Sequence, residues 1–434
     1  MSEGAVHVAA PADPLTRLST RDQVVAVLER WRDAGHAELH CMLIALDELS
    51  ALNLAFGVTV GDRVLLETAR RIAMFADDEF ADEEALLGRL GGSSFFLAVR
   101  NGCTRQRWQW LAEALADMLA VPLCTPDTPV GIRLWPRVAM VRGRPGDTAG
   151  DLLDKAAAGL QTLRAAGVSR VGWADGSEGS FGASRRQLEI DLLCAIDRDE
   201  IGVVYQPVHA VGDGRVVGAE VLARWNHPEM GQLGASVLFT LAERADHVPQ
   251  LSRHVIATAL HEAAGWPVDV PLAVNVTAAD IATGTFDREL LAIADGCGFA
   301  PERLTVELTE QALVRDLAQA REVLGRLEKR GVRIVLDDFG AGFCNFAYLK
   351  MLPLHGLKLD RSMLDDVVGN GRDRAVLRAI LAMARALSLE VVAEGVETQA
   401  QLDVVRAEGC SRFQGYLASR PLTAAQLVRY APAG

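Results

Sequence analysis

The sequence predicts an α/β protein with two domains, and three observations support this prediction. The chain has 434 residues, which is more than one domain of ordinary size contains. From residue 188 to residue 432, short β-rich segments alternate with amphipathic helical segments, as is typical of a parallel sheet covered by helices. Ahead of this region, residues 175–184 contain three glycines and three serines. That composition indicates a linker between two domains.

The composition excludes several classes of protein. Half of the residues are apolar and 23% are charged, which excludes a mostly disordered chain. We find no apolar run long enough for a membrane segment and no secretory signal, so we expect a cytoplasmic protein. The formal net charge of −13 argues against a nucleic-acid partner, which would require a basic surface. The seven cysteines include no C-x-x-C pair, so we predict neither a zinc cluster nor a disulfide framework.

The second half of the chain contains the candidate strands of a barrel. An amphipathic helix is predicted over 185–196, and a β-rich segment follows at 203–205. Six further candidate strands, rich in aliphatic residues, are 272–276, 304–308, 332–337, 356–360, 390–394 and 412–416. Helical patterns separate them. The alternation predicts a parallel sheet, and its length of roughly 245 residues suits a (β/α)₈ barrel.

Nearly every candidate strand ends in a polar side chain. These side chains are Asn275, Glu307, Asp337, Asp338, Lys358, Asp360, Glu394 and Gln414. The carboxyl ends of barrel strands meet at one mouth, so we expect these groups to lie close together. A single charged strand end often just contacts solvent, but several clustered carboxylates are costly unless protons or cations neutralise them. The pattern therefore predicts a site for Mg²⁺ or Mn²⁺, which prefer oxygen ligands.

Taken together, the motifs of this half resemble the EAL family of cyclic di-GMP phosphodiesterases. The segments that carry the resemblance are YQP at 205–207, GAEVLARWNHP at 218–228, NVT at 275–277, ELTE at 307–310, DDFG at 337–340, LKLD at 357–360, EGVET at 394–398 and QGY at 414–416. They follow the order and spacing of the family. The triplet that names the family is Glu220-Val221-Leu222 here, a variant that keeps the carboxylate.

The resemblance implies a role for each matching residue. The residues that match ligands of one or two metal ions are Glu220, Asn275, Glu307, Asp337 and Asp338. The residues that match the catalytic group are Lys358, Glu394, Glu310 and Asp360. Among these, Lys358 matches the lysine that orients or helps deprotonate the attacking water, and Glu310 matches a glutamate that steadies the loop after Asp338. The residues that match nucleotide-contacting positions are Gln206, Arg224 and Gln414.

These roles imply the hydrolysis of cyclic di-GMP to linear pGpG with Mg²⁺ or Mn²⁺. The substrate carries two anionic phosphodiesters, so it requires cations in a carboxylate-lined mouth, and Arg224 would add a phosphate donor. An alternative is a receptor that binds cyclic di-GMP without cutting it and signals through a protein partner. Such receptors typically lose metal and base positions that are all present here, so the enzyme is favoured. The resemblance also implies a homodimer.

One loop departs from the family pattern. After the paired aspartates, the family usually continues with a threonine, a glycine and, further on, two serines. This chain has GAGFCNF at 340–346 and lacks the threonine and both serines. The family uses this loop to link metal binding to dimerisation, so the change puts the rate or its regulation in doubt. Cys344 in this loop is interpreted as a small filler, because no basic neighbour favours a reactive thiolate.

The first half resembles a GGDEF domain, the α/β sandwich of diguanylate cyclases, which is related to nucleotidyl cyclases. The segments that carry this resemblance are DPLTRLSTR at 13–21, GD at 61–62, RLGGSSF at 89–95 and LQTLRAAG at 160–167. We therefore predict a degenerate GGDEF domain over 12–175, a linker over 176–184 and an EAL domain over 185–432.

Several catalytic residues of a cyclase are missing from the first domain. Ser93 and Ser94 stand where the family carries Asp or Glu, and Ala45 replaces a metal-binding aspartate. A serine hydroxyl neither binds Mg²⁺ as a carboxylate does nor acts as a base near neutral pH. The inhibitory R-x-x-D product site is also absent, because its ends are Asp82 and Ala85. We predict an inactive domain that serves regulation or dimerisation, with GTP sensing as a weaker alternative.

Overall fold

The computed structural model describes residues 12–34, 39–80, 83–100, 103–125, 128–167, 169–176, 181–266, 270–309, 313, 316–340, 346–364 and 366–431. The chain divides into two compact units. The first comprises Met1–Ala195 with Asn226–Arg244, and the second comprises Ile196–Trp225 with Ala245–Gly434.

The first unit is a mixed α/β sandwich. Its strands are β1 (Ser19–Thr20), β2 (Leu39–Leu46), β3 (Glu84–Gly91), β4 (Ser94–Arg100), β5 (Leu123–Thr125), β6 (Thr128–Ile132), β7 (Pro136–Arg142) and β8 (Val171–Trp173). Its first six helices are α1 (Arg21–Asp33), α2 (Leu49–Phe56), α3 (Val58–Glu79), α4 (Arg105–Leu119), α5 (Ala149–Ala166) and α6 (Phe181–Ala195). Six strands form one sheet in the order β1-β3-β4-β2-β7-β8, and β5 pairs with β6 separately.

Strand β2 lies at the centre of this core. All eight of its residues are buried, as expected for a strand whose two faces are both covered. Helices α1 and α5 pack on the face that carries Cys41 and Leu43. Helix α4 contacts β7 and β8, and its buried Trp108 donates a hydrogen bond from Nε1 to the Cys41 carbonyl at 3.3 Å. The sheet is therefore enclosed between two layers of helices.

The second unit contains the barrel. Its strands are β9 (Ile201–Ala210), β10 (Val216–His227), β12 (Leu272–Asn275), β13 (Leu304–Thr309), β14 (Arg333–Phe339), β15 (Gly356–Leu359), β16 (Glu390–Ala393) and β17 (Arg412–Phe413). Its helices are α8 (Val248–Ala264), α9 (Ala278–Ala282), α10 (Phe286–Cys297), α11 (Leu317–Glu328), α12 (Phe346–Met351), α13 (Gly371–Ala386), α14 (Gln399–Ala407) and α15 (Ala424–Tyr430). Two further elements, β11 (Gly231–Leu233) and α7 (Ala235–Arg244), lie between β10 and α8.

The eight strands of the second unit close on themselves. Strand β10 and strands β12 to β17 pair in parallel, in chain order. Strand β9 pairs antiparallel with both β10 and β17 and so closes the barrel. The predicted barrel is confirmed, but the prediction of an all-parallel sheet was wrong for its first strand. Only five residues, 211–215, connect β9 to β10, and a parallel crossover needs a dozen or more.

The barrel helices begin where the sequence provides caps. Thr277, Thr398 and Thr423 each accept a hydrogen bond from a backbone N–H three residues on and form a capping box, which satisfies exposed donors of the first turn. Helix α10 is capped at its C-terminus by Gly298, whose φ of 66° is left-handed and suits glycine. Among the described residues, no helix is both long and apolar enough to cross a membrane.

Two features of the first unit differ from the predicted domain boundaries. Helix α6 begins at Phe181, inside the segment predicted as a linker, because a glycine and a serine near a helix start do not prevent helix formation. Helix α7 belongs to the first unit although it follows β10 in the chain. The carboxylates of Asp78 and Glu79 accept hydrogen bonds from the Ser236 and Gly234 backbone at 2.6 and 2.7 Å. These acceptors satisfy N–H groups at the start of α7.

Candidate functional site

The mouth of the barrel gathers five charged side chains. Glu220 lies on β10, Glu307 on β13, Asp337 on β14 and Lys358 on β15, and Glu394 directly follows β16. The first four are buried. Side chains separated by up to 174 residues in the sequence (220 to 394) therefore meet at one place. The polar strand ends predicted this for Glu307, Asp337, Lys358 and Glu394, and the family resemblance predicted it for Glu220.

Lys358 lies at the centre of this group. Its Nζ donates to Glu307 at 2.8 Å and to Glu220 at 3.0 Å. The same Nζ pairs with Glu394 at 2.7 Å and with Asp337 at 3.3 Å. Only 1% of the lysine side chain is exposed. One ammonium group thus faces four carboxyl groups, and a buried cluster with excess negative charge requires further protons or cations.

Three of these carboxyl groups hold their protons more tightly than usual. Burial, with repulsion from Glu220, raises the pKa of Glu307 to about 8 despite the attraction of Lys358. Burial and the neighbouring negative charges raise the pKa of Asp337 to about 6. Burial also raises the pKa of Glu394 well above its usual range. Each shift reflects desolvation of a carboxylate among like charges.

Glu220 is the exception in this cluster. Burial opposes its ionisation, but Lys358 and two side-chain amides hold its pKa below the usual value. Gln414 Nε2 donates to Glu220 Oε2 at 2.8 Å, and Asn275 Nδ2 donates to Oε1 at 2.8 Å. Hydrogen bonds to a charged carboxylate stabilise the charged form. Glu220 therefore remains the anionic anchor of the site.

A kink in β14 places two consecutive carboxylates in the same site. Successive side chains of a regular strand point to opposite faces, which would separate Asp337 from Asp338. Asp338 instead adopts a φ of 56°, and the pairing of β14 with β15 shifts register between Leu336 and Phe339. The backbone N–H of Asp338 donates to Asp337 Oδ1 at 2.8 Å. Such a bulge, with a non-glycine residue in the left-handed region, is a feature of functional sites.

The donor set fits divalent metal ions. Oxygen atoms of Glu220, Glu307 and Asp337 lie within 4.8 Å of one another, and so do oxygen atoms of Asp337, Asp338 and Glu394. The two groups share Asp337, so they can hold two adjacent cations. Every donor is a hard oxygen, the ligand type of Mg²⁺ and Mn²⁺. A cation would also offset the negative charge that, together with burial as the larger cause, raises the pKa of Glu307.

Two glutamines add polar atoms beside Glu220. Gln206 on β9 is directly opposite Glu220 in the strand pairing, and its Nε2 donates to the Ser419 carbonyl at 2.7 Å. The Oε1 atoms of Gln206 and Gln414 are buried and accept no hydrogen bond from the described residues. Buried acceptors without donors are costly in a finished core. Both are therefore candidates to bind a ligand.

The strand end of β10 carries the predicted phosphate donor. Arg224 is buried and lies four residues after Glu220, so the two side chains share one face of the strand. Its Nη1 donates to the Ala223 carbonyl at 2.8 Å. The neighbouring Trp225 is fully buried, and its Nε1 donates to Glu200 at 3.1 Å. We therefore assign Trp225 to packing rather than to a ligand contact.

One predicted catalytic residue, Asp360, makes no described contact with Lys358. Asp360 is buried, and its carboxylate accepts a hydrogen bond from the Ser362 backbone at 2.9 Å. It caps the short 3₁₀ helix Arg361–Met363, so the geometry supports a structural role. Glu310 lies outside the described residues, as does Cys344 with most of the altered loop.

Comparison with known proteins decides the family. The EAL domain model matches residues 189–421, which is more than half of the chain. The chain belongs to the EAL family. The model of the GGDEF domain of diguanylate cyclases matches residues 10–170, so the chain is a tandem GGDEF–EAL protein. Both predicted resemblances are thereby confirmed.

Relatives and solved structures resemble the whole chain or its second half. The cyclic di-GMP phosphodiesterase NbdA of Pseudomonas aeruginosa is 32% identical over 96% of this chain, which spans 53% of NbdA. The phosphodiesterase MucR in complex with cyclic di-GMP is 34% identical over 56% of this chain and 99% of that chain, with a TM-score of 0.53. The GGDEF–EAL structure of Vibrio cholerae LapD covers 94% of this chain and 96% of that chain at 19% identity and a TM-score of 0.51, and this likeness shows the fold alone.

The curated relatives are longer than this chain. A signalling protein of Caulobacter vibrioides is 31% identical over the whole chain, which spans 53% of that relative. A protein of Mycobacterium bovis is 31% identical over 97% of this chain, and the chain spans 68% of the length of that protein.

Asp280, which holds the turn after Asn275, was not among the residues predicted from the sequence. Asp280 is buried, and its Oδ2 accepts hydrogen bonds from the Thr277 backbone at 2.9 Å and from Ser252 at 3.0 Å. These contacts hold the turn that follows Asn275. The pattern Thr277-Ala-Ala-Asp280 is a capping-box signal that could have identified it.

A side chain at Gly415 of the EAL domain is expected to disturb the packing of the barrel. The Gln414 backbone pairs with Ala393 and Val396, and a Cβ at Gly415 would lie 2.2 Å from the Val396 carbonyl oxygen. We expect Gly415→Ala to destabilise the domain by about 1–3 kcal/mol because the backbone must move, and to lower any activity that needs Gln414. Thermal denaturation measures the first effect. Gly296→Ala, in α10 with open space around it, is the control, and an equal loss in both variants would contradict the prediction.

Two positions of the GGDEF domain at which the family resemblance leads one to expect carboxylates are adjacent and lack them. Ser94 pairs with Ala45 across β2 and β4, so neither position offers one. Asp47, two residues after Ala45, pairs with Arg164 at 2.6 Å and also with Arg137. Although burial opposes its ionisation, these guanidinium groups hold the pKa of Asp47 below its usual value. Asp47 is thus engaged by two arginines in this domain.

Proposed function

We propose that the EAL domain hydrolyses cyclic di-GMP to linear pGpG with Mg²⁺ or Mn²⁺. The observation that carries this proposal is the intact cluster of Glu220, Glu307, Asp337 and Glu394 around Lys358. Its shared oxygen groups fit two cations. NbdA is a cyclic di-GMP phosphodiesterase and MucR is a phosphodiesterase solved in complex with cyclic di-GMP, which supports the same substrate for this chain.

The geometry supports a role for each group in this reaction. When bound, the cations supply positive charge for the anionic phosphodiester and acidify an attacking water. Lys358 would hold the carboxylates in place and donate to that water. Arg224 would bind a phosphate oxygen, because guanidinium groups suit this ligand. The water oxygen forms a bond to phosphorus, the bond from phosphorus to the 3′ oxygen breaks, and that oxygen takes a proton.

A direct assay tests the proposal. Purified protein is incubated with cyclic di-GMP and with Mg²⁺, Mn²⁺ or EDTA, and the products are separated by chromatography. We expect pGpG with either metal and none with EDTA. Tight binding of cyclic di-GMP without product in either metal would contradict the proposal and favour the receptor.

We infer that the GGDEF domain serves regulation or dimerisation rather than cyclisation, and that the protein works as a homodimer with a possible signalling partner. The missing carboxylates at Ala45, Ser93 and Ser94 support this inference. Leu54, which stands beside Asn53 where the family carries an aspartate, is 92% exposed and offers no polar contact.

The inference predicts that GTP is not cyclised. Incubation with GTP and Mg²⁺ should yield no cyclic di-GMP or pGpG above the background without protein, because no carboxylate is available to hold the metal. Both cyclic di-GMP and pGpG are measured, because the EAL domain would convert cyclic di-GMP to pGpG. Using Glu220→Ala protein removes that consumption. Accumulation of cyclic di-GMP in this variant would show that the GGDEF domain is active.

A further inference from the structure

The first unit contains a cavity away from the residues discussed so far. Its volume is about 530 Å³, within the range of small-molecule sites. It opens where β7 and β8 end, and the residues that matter for its chemistry are Arg105, Arg142, Arg144, Lys155, Trp173 and Asp175. They come from four parts of the chain, namely α4, the end of β7, α5 and the end of β8. The cavity is thus formed by the tertiary fold.

The lining is strongly basic. Three arginines and one lysine line the cavity together with Asp175, and Asp147 pairs with Lys155 beside it, which leaves a formal charge of +2 (four positive minus two negative). The whole chain carries −13, so this concave site is a local reversal of the overall charge. Clustered charge of one sign in a concave surface attracts ligands of the opposite sign.

One wall of the cavity presents an ordered aromatic and guanidinium stack. The indole Nε1 of Trp173 donates to Gln109 Oε1 at 3.2 Å, which fixes the ring. The Arg105 guanidinium lies 4.0 Å from the ring centroid, and its Nη2 pairs with Asp175 at 3.1 Å. A guanidinium plane held in this way is a surface on which a nucleobase can stack.

The other wall presents charged donors. Lys155 pairs with Asp147 at 2.7 Å, so its ammonium is held beside the cavity. The Arg144 backbone N–H donates to the same carboxylate at 3.0 Å, while its guanidinium has no ion pair among the described residues. Together with Arg142 at the end of β7, these groups match the donors that bind phosphate.

The cavity is distinct from the degenerate cyclase site. Leu46, beside Ala45 and Asp47, pairs with Pro136 at the start of β7, whereas the lining of the cavity begins at Met140, towards the end of β7. The four residue steps from Pro136 to Met140 separate the two by roughly 13 Å along the strand. A ligand in one site therefore does not contact the other.

We propose that this cavity binds a mononucleotide, with its phosphate on Arg142, Arg144 and Lys155 and its base against Arg105 and Trp173. The inference does not depend on the activity of the EAL domain. The probes are GMP, guanosine, which lacks the phosphate, and inorganic phosphate, which lacks the base. Titration calorimetry of the full chain measures the affinity for each probe. The buffer contains EDTA, which prevents binding that requires divalent ions.

We expect GMP to bind at least about tenfold more tightly than guanosine or phosphate, because only GMP uses both walls. The double variant Arg142→Glu/Arg144→Glu should weaken GMP binding by about tenfold or more. Lys155→Glu, on a separate element, should weaken it in the same direction. The control is Arg133→Glu, an exposed arginine three residues before the start of β7, which should bind GMP like the wild type.

Three results would overturn the proposal. Absence of GMP binding to the wild type at millimolar concentration would exclude the site. Unchanged GMP affinity in both the double variant and Lys155→Glu, with normal melting curves, would place the nucleotide elsewhere. Equal affinities for GMP and inorganic phosphate would exclude recognition of the base.

Discussion

Glu220→Ala is expected to lower the hydrolysis of cyclic di-GMP by on the order of 10³-fold, because lost charge stabilisation at a metal site costs several kcal/mol of barrier. Glu220 contacts Lys358, Asn275 and Gln414 at 2.8 to 3.0 Å. Its removal takes away one oxygen donor of the first metal group and frees both amides. Initial rates of pGpG formation at saturating Mg²⁺ measure the effect.

The matched control for this variant is Glu390→Gln. Glu390 lies in the same barrel at the start of β16, the opposite end from the mouth, and pairs with Arg333 and Arg412 at 2.6 and 2.9 Å. Its side chain is 41% exposed, so the change should leave the rate nearly intact. Glu220→Ala protein that retains more than a tenth of the wild-type rate would show that the metal site is wrongly placed.

Much of this site was predictable from local pattern. The regular alternation of strands and helices indicated the barrel, and parallel strands bring their carboxyl ends together. The sequence alone therefore predicts that Glu307, Asp337 and Lys358 lie at one mouth of the barrel. The degenerate positions Ser93 and Ser94 were equally visible, because the chemistry of a hydroxyl differs from that of a carboxylate.

The remainder depended on contacts between distant residues. The antiparallel direction of β9 follows from the five-residue connection between β9 and β10. The pattern of apolar residues in β9 does not indicate its direction. The left-handed backbone of Asp338 arises from the pairing of β14 with β15, since aspartate tolerates that conformation without requiring it. The cavity at Arg105 and Arg144 joins four separate segments, and no single motif marks it.

The second large effect is expected for Lys358→Met, which removes the only ammonium that contacts the four carboxyl groups within the described part of the chain. Loss of one partner from a buried ion cluster costs about 3–5 kcal/mol, and we expect the melting temperature of the barrel to fall by roughly 6–20 °C in EDTA. Turnover should be lost as well, because no donor remains for the attacking water. Lys329→Met, an exposed lysine just after α11, should change neither quantity appreciably.

Divalent cations distinguish a charge-compensating lysine from a packing lysine. If Lys358 balances Glu220, Glu307, Asp337 and Glu394, then Mg²⁺ or Mn²⁺ should raise the melting temperature of Lys358→Met more than that of the wild type, because the variant has more uncompensated charge. Activity should stay low despite this recovery, since the cation replaces the charge and not the hydrogen-bond donor. A variant that melts like the wild type in EDTA would show that protons alone neutralise the cluster. If neither metal restores the melting temperature that Lys358→Met has lost, Lys358 mainly contributes packing.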